Sequence, residues 1–142
     1  MSDLLLLACS ARKRSDPRRP VAALERYDGV FFRVLRKWLR GGVIAVPDVW
    51  IISARFGLIE AGTPIPEYDQ RMDARRAMEL APQVRAELQQ RLERHRYQRV
   101  FVNVGRDYAP TLAGVEQLKS ASWATGAIGQ RAQQMKQWLE GS

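Results

Sequence analysis

Residues 49–72, VWIISARFGLIEAGTPIPEYDQRM, decide how the rest of the chain is read. The stretch opens on Val49, Trp50, Ile51 and Ile52, a continuous apolar run bounded by turn formers, which is the pattern of a buried strand. That run stops at Ser53-Ala54-Arg55, and no helix follows at once. Gly57, Gly62, Pro64 and Pro66 come next, then Tyr68-Asp69. A long, stiffened loop leaving the end of a buried strand holds polar groups in fixed positions, which makes this segment a candidate site. An ordinary crossover with chain breakers in it is the alternative.

Two other apolar runs share the character of the first. Residues 4–8 read as a central strand covered on both faces and pass into Cys9-Ser10-Ala11-Arg12-Lys13-Arg14, a polar and basic turn. Residues 99–104 read as a third strand, carry Asn103 and exit into Gly105-Arg106-Asp107-Tyr108. Helical spacing fills the intervals. Over residues 21–40, Val30, Phe31, Val34, Leu35, Trp38 and Leu39 form one stripe, with Arg33, Arg36, Lys37 and Arg40 on the other face. Gly29 interrupts this helix and Gly41-Gly42 ends it. Residues 73–96 predict a second helix, with Asp73 as N-cap, Met78, Leu80, Val84, Leu88 and Leu92 as its apolar repeat, and Pro82 as a kink or boundary. Residues 110–118 suggest a short helix, and residues 120–126 a short strand and loop with Trp123 and Thr125. Residues 128–139 suggest a last helix behind Gly126 and Gly129, with Gln130 and Arg131 at its positive end.

Strands alternating with helices predict a three-layer α/β fold, a mostly parallel central sheet of about four strands flanked by helices, in a single domain over residues 1–142. Ligands of such sheets sit at the carboxyl ends of the strands. Three tips (Cys9-Ser10, Ser53-Ala54-Arg55 and Asn103 to Arg106) are therefore expected to converge on one cleft.

A chain of 142 residues can bury a sizeable core, and 46% hydrophobic with 27% charged residues is a globular composition. Cys9 is the single cysteine, so no internal disulfide forms and the cytoplasm is the expected compartment. The apolar run at residues 4–8 is too short for a secretory signal or a membrane span. One cysteine and one histidine supply no zinc spacing, and no dinucleotide, Walker or Ser-His-Asp pattern occurs; no metal and no cofactor is expected. Charge is the strongest compositional signal. Lys and Arg number 23 against 15 Asp and Glu, a net +8. Residues 1–40 hold ten basic and four acidic side chains, so +6 of that charge lies in the first third. Such clustering points to a polyanion, with nucleic acid, and DNA first, as the expected partner. A generally basic surface that serves solubility is the alternative.

The pattern Ala8-Cys9-Ser10-x-x-Lys13, then Ser53-Ala54-x-x-Gly57-Leu58-Ile59, then Ile65-Pro66-x-Tyr68-Asp69-x-x-Met72 resembles a bacterial domain family of unknown function, the DUF6884 type. It is similar, more distantly, to peroxide-stress DNA-binding proteins of the cantaloupe fold and to the catalytic core of archaeosine synthase. Those two share a Gly-Leu or Gly-Val followed by Pro-x-Tyr and Asp or Arg. The resemblance runs from Leu4 to Leu139 and includes Gly105-x-x-Tyr108 and the closing Gly129 and Trp138-Leu139. It implies a fold like that of uracil-DNA glycosylases and, for some proteins of this kind, action on modified bases of phage DNA in antiphage defence. The helix-hairpin-helix insertion of the peroxide-stress proteins and the lysine-rich substrate apparatus of archaeosine synthase have no counterpart here.

On that resemblance the residues take expected roles. A glycosylase must hold a base outside the stack and place a carboxylate against the positive charge that grows on the sugar. Asp69, held at a rigid loop end by Pro66 and the glycines, is the expected catalytic carboxylate, with Asp107 and Asp28 behind it. Asn103 suits the edge of a base, since an amide both donates and accepts. Tyr68, Phe56 and Tyr27 are expected to stack, and Cys9, Ser10, Ser53, Asp107 and Tyr108 to complete the base and substrate pocket. Arg12, Lys13, Arg14, Arg55, Arg106, Gln130 and Arg131 are expected to hold phosphates. Cys9 reads as a small core residue more than a nucleophile, and His95 as a surface cation at a helix end. Bland roles compete: a turn or cap for Asp69, a core position for Tyr68. Lys13 could instead form a Schiff base, making a lyase. A non-catalytic DNA-binding protein and a tRNA-base-modifying enzyme are the alternative functions.

Overall fold

A computed structural model describes residues 2–15, 18–43 and 45–141. The first apolar run forms β1 (Leu4–Ala8), and the chain returns as β2 (Val21–Ala22) and a single turn, α1 (Ala23–Arg26). Gly29 separates that turn from α2 (Val30–Leu39). A Cβ on Gly29 would stand 2.8 Å from the Cβ of Ser10, so the close approach of this segment to the end of β1 requires glycine. β3 (Asp48–Ser53) is followed by a tight reversal in which Gly57, at φ +75°, opens β4 (Gly57–Glu60) antiparallel to it. β5 (Pro64–Ile65) pairs with β2 in a separate two-stranded ribbon. The chain continues through α3 (Ala74–Arg94), β6 (Val100–Asn103), 3-10 turns over Arg106–Thr111 and Glu116–Ser120, β7 (Ser122–Trp123) and α4 (Ile128–Glu140).

The sheet order is β4-β3-β1-β6-β7, and every pairing except β3 with β4 is parallel. β1 lies in the middle. The chain first moves to β3 on one side of it and later crosses to β6 on the other. Strand alternation then divides the core in two. Leu4 and Leu6 join Trp50, Ile52, Leu58 and Val102 against Leu80, Val84, Leu88 and Leu92 of α3. Leu5 and Leu7 join Val49, Ile51 and Phe101 against Phe32 and Leu35 of α2 and Met135 and Leu139 of α4. Both faces of the sheet are covered, which is why β1 is apolar at every position rather than at alternate ones. The architecture is the expected three-layer α/β fold, with a fifth strand.

That fifth strand is β4, inside the segment read as loop. The expected helix over residues 110–118 is instead two 3-10 turns. Met78, read into the apolar stripe of α3, is 74% exposed, because the buried stripe runs through Ala77, Leu80, Ala81, Val84 and Leu88. α3 continues through Pro82, and Asp73 caps it by accepting from the Arg76 amide at 2.7 Å. Arg36, read onto the solvated face of α2, is buried. His95 is exposed, as expected. The stretch over residues 15–20, SDPRRP, reads from its sequence as an exposed loop rich in Arg and Pro, and of it residues 16 and 17 lie outside the described residues. No helix among the described residues is long and apolar enough to cross a membrane.

Candidate functional site

Three parallel strands deliver their carboxyl ends to one edge of the sheet: Cys9-Ser10 after β1, Ser53-Ala54 after β3 and Asn103 at the end of β6. The Ser53 hydroxyl is the hub there. It is fully buried and accepts from the amides of Arg55 and Phe56 at 3.2 and 3.1 Å, which closes the turn into β4. Two phenols share it: the Tyr27 and Tyr68 hydroxyls each lie 3.1 Å from Ser53 Oγ and 2.6 Å from each other. Beside them Cys9 Sγ lies 2.8 Å from the Tyr108 hydroxyl and accepts from the Ala54 amide at 3.3 Å. Phe56 meets the Tyr68 ring edge-on, with centroids 5.4 Å apart. Lys13 Nζ sits 4.5 Å from the centre of the same ring, a cation–π contact.

Burial pushes the Tyr68 phenol up to about 12, with the neighbouring Cys9 adding to the shift. Burial also raises Tyr27 and Tyr108, again with a contribution from Cys9. Burial raises Tyr97 at the opposite end of the sheet, helped by the Asp48 carboxylate that its hydroxyl bonds at 2.8 Å. All four tyrosines of the chain are thus held protonated. In an unfolded chain a tyrosine ionises near pH of about 10. Above that pH the folded state retains protons the unfolded state has lost, so stability is full below it and drains as pH rises towards 12 and beyond. An alkaline titration is expected to show little phenolate absorbance around pH of about 10 and a steep rise at higher pH, coincident with loss of the circular dichroism signal. Gradual ionisation at the ordinary value with the fold intact would contradict the burial described here.

A hollow of about 440 Å³ opens next to this cluster, lined by Arg18, Arg19, Pro66, Glu67, Tyr68 and Asp69. Tyr68 belongs to both. Asp69 is exposed there and makes no hydrogen bond or ion pair among the described residues, whereas Asp28, another acidic candidate, is fully engaged. Arg26 holds the walls of the hollow together. Wholly buried, it donates to the carbonyls of Arg14 at 2.8 Å, Arg19 at 3.0 Å and Ile65 at 3.3 Å. The backbone at Arg14, at Arg19 and in β5 is therefore fastened to one guanidinium. A second arginine braces the β3 tip: Arg76 of α3 donates to Ala54 O at 2.6 Å and Arg55 O at 2.9 Å.

On the flank of α2, Asp28 collects three guanidinium groups. Arg33 reaches it at 2.9 Å, Arg12 at 3.7 Å, and Arg36 through a short hydrogen bond. The hydrogen bond from Arg33, aided by Arg36, holds the Asp28 carboxyl down at about 2. Arg36 also donates to the Leu24 and Tyr27 carbonyls at 2.8 and 2.7 Å.

The structure brings together Cys9, Lys13, Tyr27, Ser53, Phe56, Tyr68 and Tyr108 of the expected site. Tyr27 enters as an anchor: it is fully buried on Phe32 and offers no ring face to a base, contrary to the expectation of stacking. Asn103 is likewise buried, its carbonyl oxygen accepting from Arg131 Nε at 3.1 Å and its amide donating to Met135 Sδ, so it offers no free edge to a base; Arg131 itself is half-buried. Ser10 accepts from the Gly29 amide and donates to Arg12 O, fixing the entry to α2. Gln130 caps α4 by accepting from the Ala127 amide at 2.9 Å. Arg12, Arg14, Arg55, Arg106 and Asp107 are exposed. Arg18, Arg19, Arg26, Arg36 and Arg76 were not singled out for the site in the sequence. The Arg-Arg pair before Pro20 is the one signal that could have marked any of them.

Residues 4–141 match the model of a family described as one of unknown function, DUF6884. No curated protein matches the chain. Among solved structures, AF0587, described as a protein of unknown function, is similar with a TM-score of 0.59 and 18% identity, covering 99% of this chain and 45% of that one. The chain thus spans less than half of that structure, and the likeness shows the fold alone.

Proposed function

The chain belongs to the DUF6884 family, described as one of unknown function, so its chemistry is read from its own side chains: we propose that it binds DNA and hydrolyses the N-glycosidic bond of a modified base. Water adds to the anomeric carbon as the bond to the base nitrogen breaks. The electron pair leaves with the base, which takes up a proton, and an abasic sugar remains. Asp69 faces the charge that grows on the sugar and receives the proton of the attacking water. Arg18 and Arg19 attract the flanking phosphates, and Phe56 and Tyr68 offer aromatic surface to the extruded base. Bases modified in phage DNA, hypermodified cytosines first, are the substrates to which the family resemblance points.

One observation carries this reading. An unpaired, exposed carboxylate stands beside Tyr68 in a hollow with two arginines, next to the carboxyl tips of a parallel sheet. A different observation favours a second reading, binding without chemistry: the hydroxyls of Tyr27, Ser53 and Tyr68 satisfy one another and ask for no ligand.

Incubation with unmodified and hypermodified phage DNA, followed by mass spectrometry for freed base and by alkali cleavage for abasic sites, separates the two. Base release from modified DNA is the expected result, and Asp69→Asn is expected to keep DNA affinity while losing that release. Binding with no freed base on any DNA supports the second reading. Release undiminished in Asp69→Asn removes Asp69 from the mechanism.

A further inference from the structure

We propose that the outer face of α2 is the track along which a nucleic-acid strand enters the strand-tip site, its phosphates held by Arg14, Arg33, Lys37 and Arg40. The proposal rests on the nucleic-acid reading above and adds where the backbone runs. A hollow of about 390 Å³ lies on this face, lined by those four side chains with Asp28 and Arg36. Five of the six linings are cationic and one is anionic, and the anion is already used. Asp28 is bonded by Arg33 and Arg36, with Arg12 close by. Arg36 is only 6% exposed and spends its remaining donors on carbonyls, so it shapes the hollow without facing a ligand. Lys37, Arg40, Arg14 and the outer edge of Arg33 face solvent.

The spacing suits a linear polyanion. Residues 33, 37 and 40 follow at i, i+4 and i+7, one stripe about 10 Å long on the helix surface. At its upper end Asp28 joins the stripe to Arg12, and so to Lys13 above the Tyr68 ring. Some cations on other elements are neutralised locally. On α3, Arg75 and Arg76 both pair with Glu79, and Arg91 reaches Glu60. Lys119 pairs with Glu116 one turn away. α2 contains no acidic residue, and among the described residues Arg14 pairs only with the exposed Glu25, at 3.2 Å. Like charges three and four apart destabilise a bare helix. Arg33 shares Asp28, but Lys37 and Arg40 have no acidic partner among the described residues, and a stripe of this kind suits an anion that arrives from outside; charge complementarity selects a phosphodiester chain.

The test is the salt dependence of binding to a single-stranded oligonucleotide, followed by fluorescence anisotropy. Each phosphate contact contributes about 0.7 to the slope of log K against log salt for a single strand. The triple variant Arg33→Gln, Lys37→Gln, Arg40→Gln is expected to flatten that slope by about two units, with its circular dichroism spectrum unchanged. Arg75→Gln, which removes an exposed cation from α3, is expected to leave the slope alone. A triple variant with the wild-type slope overturns the track while leaving the strand-tip chemistry standing. A wild-type protein with no salt-dependent affinity for DNA overturns both.

Discussion

Arg26→Met is expected to lower the urea midpoint by the equivalent of about 3–5 kcal/mol, with the denaturant slope unchanged. The size follows from where the guanidinium is. No part of Arg26 reaches solvent, and its nitrogens serve the carbonyls of Arg14, Arg19 and Ile65. Methionine matches the length and volume of the stem but donates nothing. Three carbonyls that folding withdrew from water are then left short of a partner, each at a cost of about 1–3 kcal/mol before relaxation. Relaxation takes a definite direction, since the backbone at Arg14 and Arg19 and the β5 strand are the parts released. Arg18 and Arg19 would therefore drift from Asp69, and DNA affinity should fall in the same variant even at temperatures where it is folded. Lysine at this position is expected to recover little, because a single ammonium cannot span three carbonyls that a planar fork reaches. A loss below about 1 kcal/mol in Arg26→Met would mean that packing alone positions the two segments.

This residue also shows where reading the sequence reaches its limit. β1, β3 and β6 are legible because each is apolar at consecutive positions, and a strand buried on both faces has no other pattern available. α2 and α3 are legible from their period. β4 is not, since only Leu58 and Ile59 lie between Gly57 and Glu60, and a strand made by a tight reversal looks like a loop. Buried arginines defeat the reading for a different reason. Arg26 and Arg36 carry the same letter as Arg33 and Arg40, and what separates them is the carbonyls brought near from distant segments. Tyr27, just after α1, and Asn103, at the end of β6, went astray in the same way, as polar groups that turn inward to partners over twenty residues away. Convergence of the three tips was legible, because parallel strands beside one another leave no freedom in where their ends fall. The place of Asp69 beside Arg18 and Arg19 was not, for it depends on the β2–β5 ribbon, two residues to a strand.

Ser53→Ala is expected to cost about 2–4 kcal/mol, large for the loss of one hydroxyl from a strand end. The side chain is wholly buried, and four groups converge on its oxygen: the amides of Arg55 and Phe56 and the hydroxyls of Tyr27 and Tyr68. A hydroxyl has two acceptor sites and one donor, so these bonds are shared and reinforce one another. Removing it strands both amides at the turn and leaves the two phenols with only each other. A double-mutant cycle with Tyr68→Phe isolates the part that concerns the site. If Ser53 holds Tyr68 through the hydrogen bond, the pair should couple by about 1 kcal/mol or more, the double mutant being less destabilised than the sum of the singles. Base release should then fall in Ser53→Ala by more than its DNA affinity, because the tyrosine that loses its anchor precedes Asp69. Strict additivity would assign the position of Tyr68 to its ring contacts with Phe56 and Tyr27 instead. The carboxylate would in that case be placed by apolar packing, and the polar cluster at the strand tips would serve the turn into β4 alone.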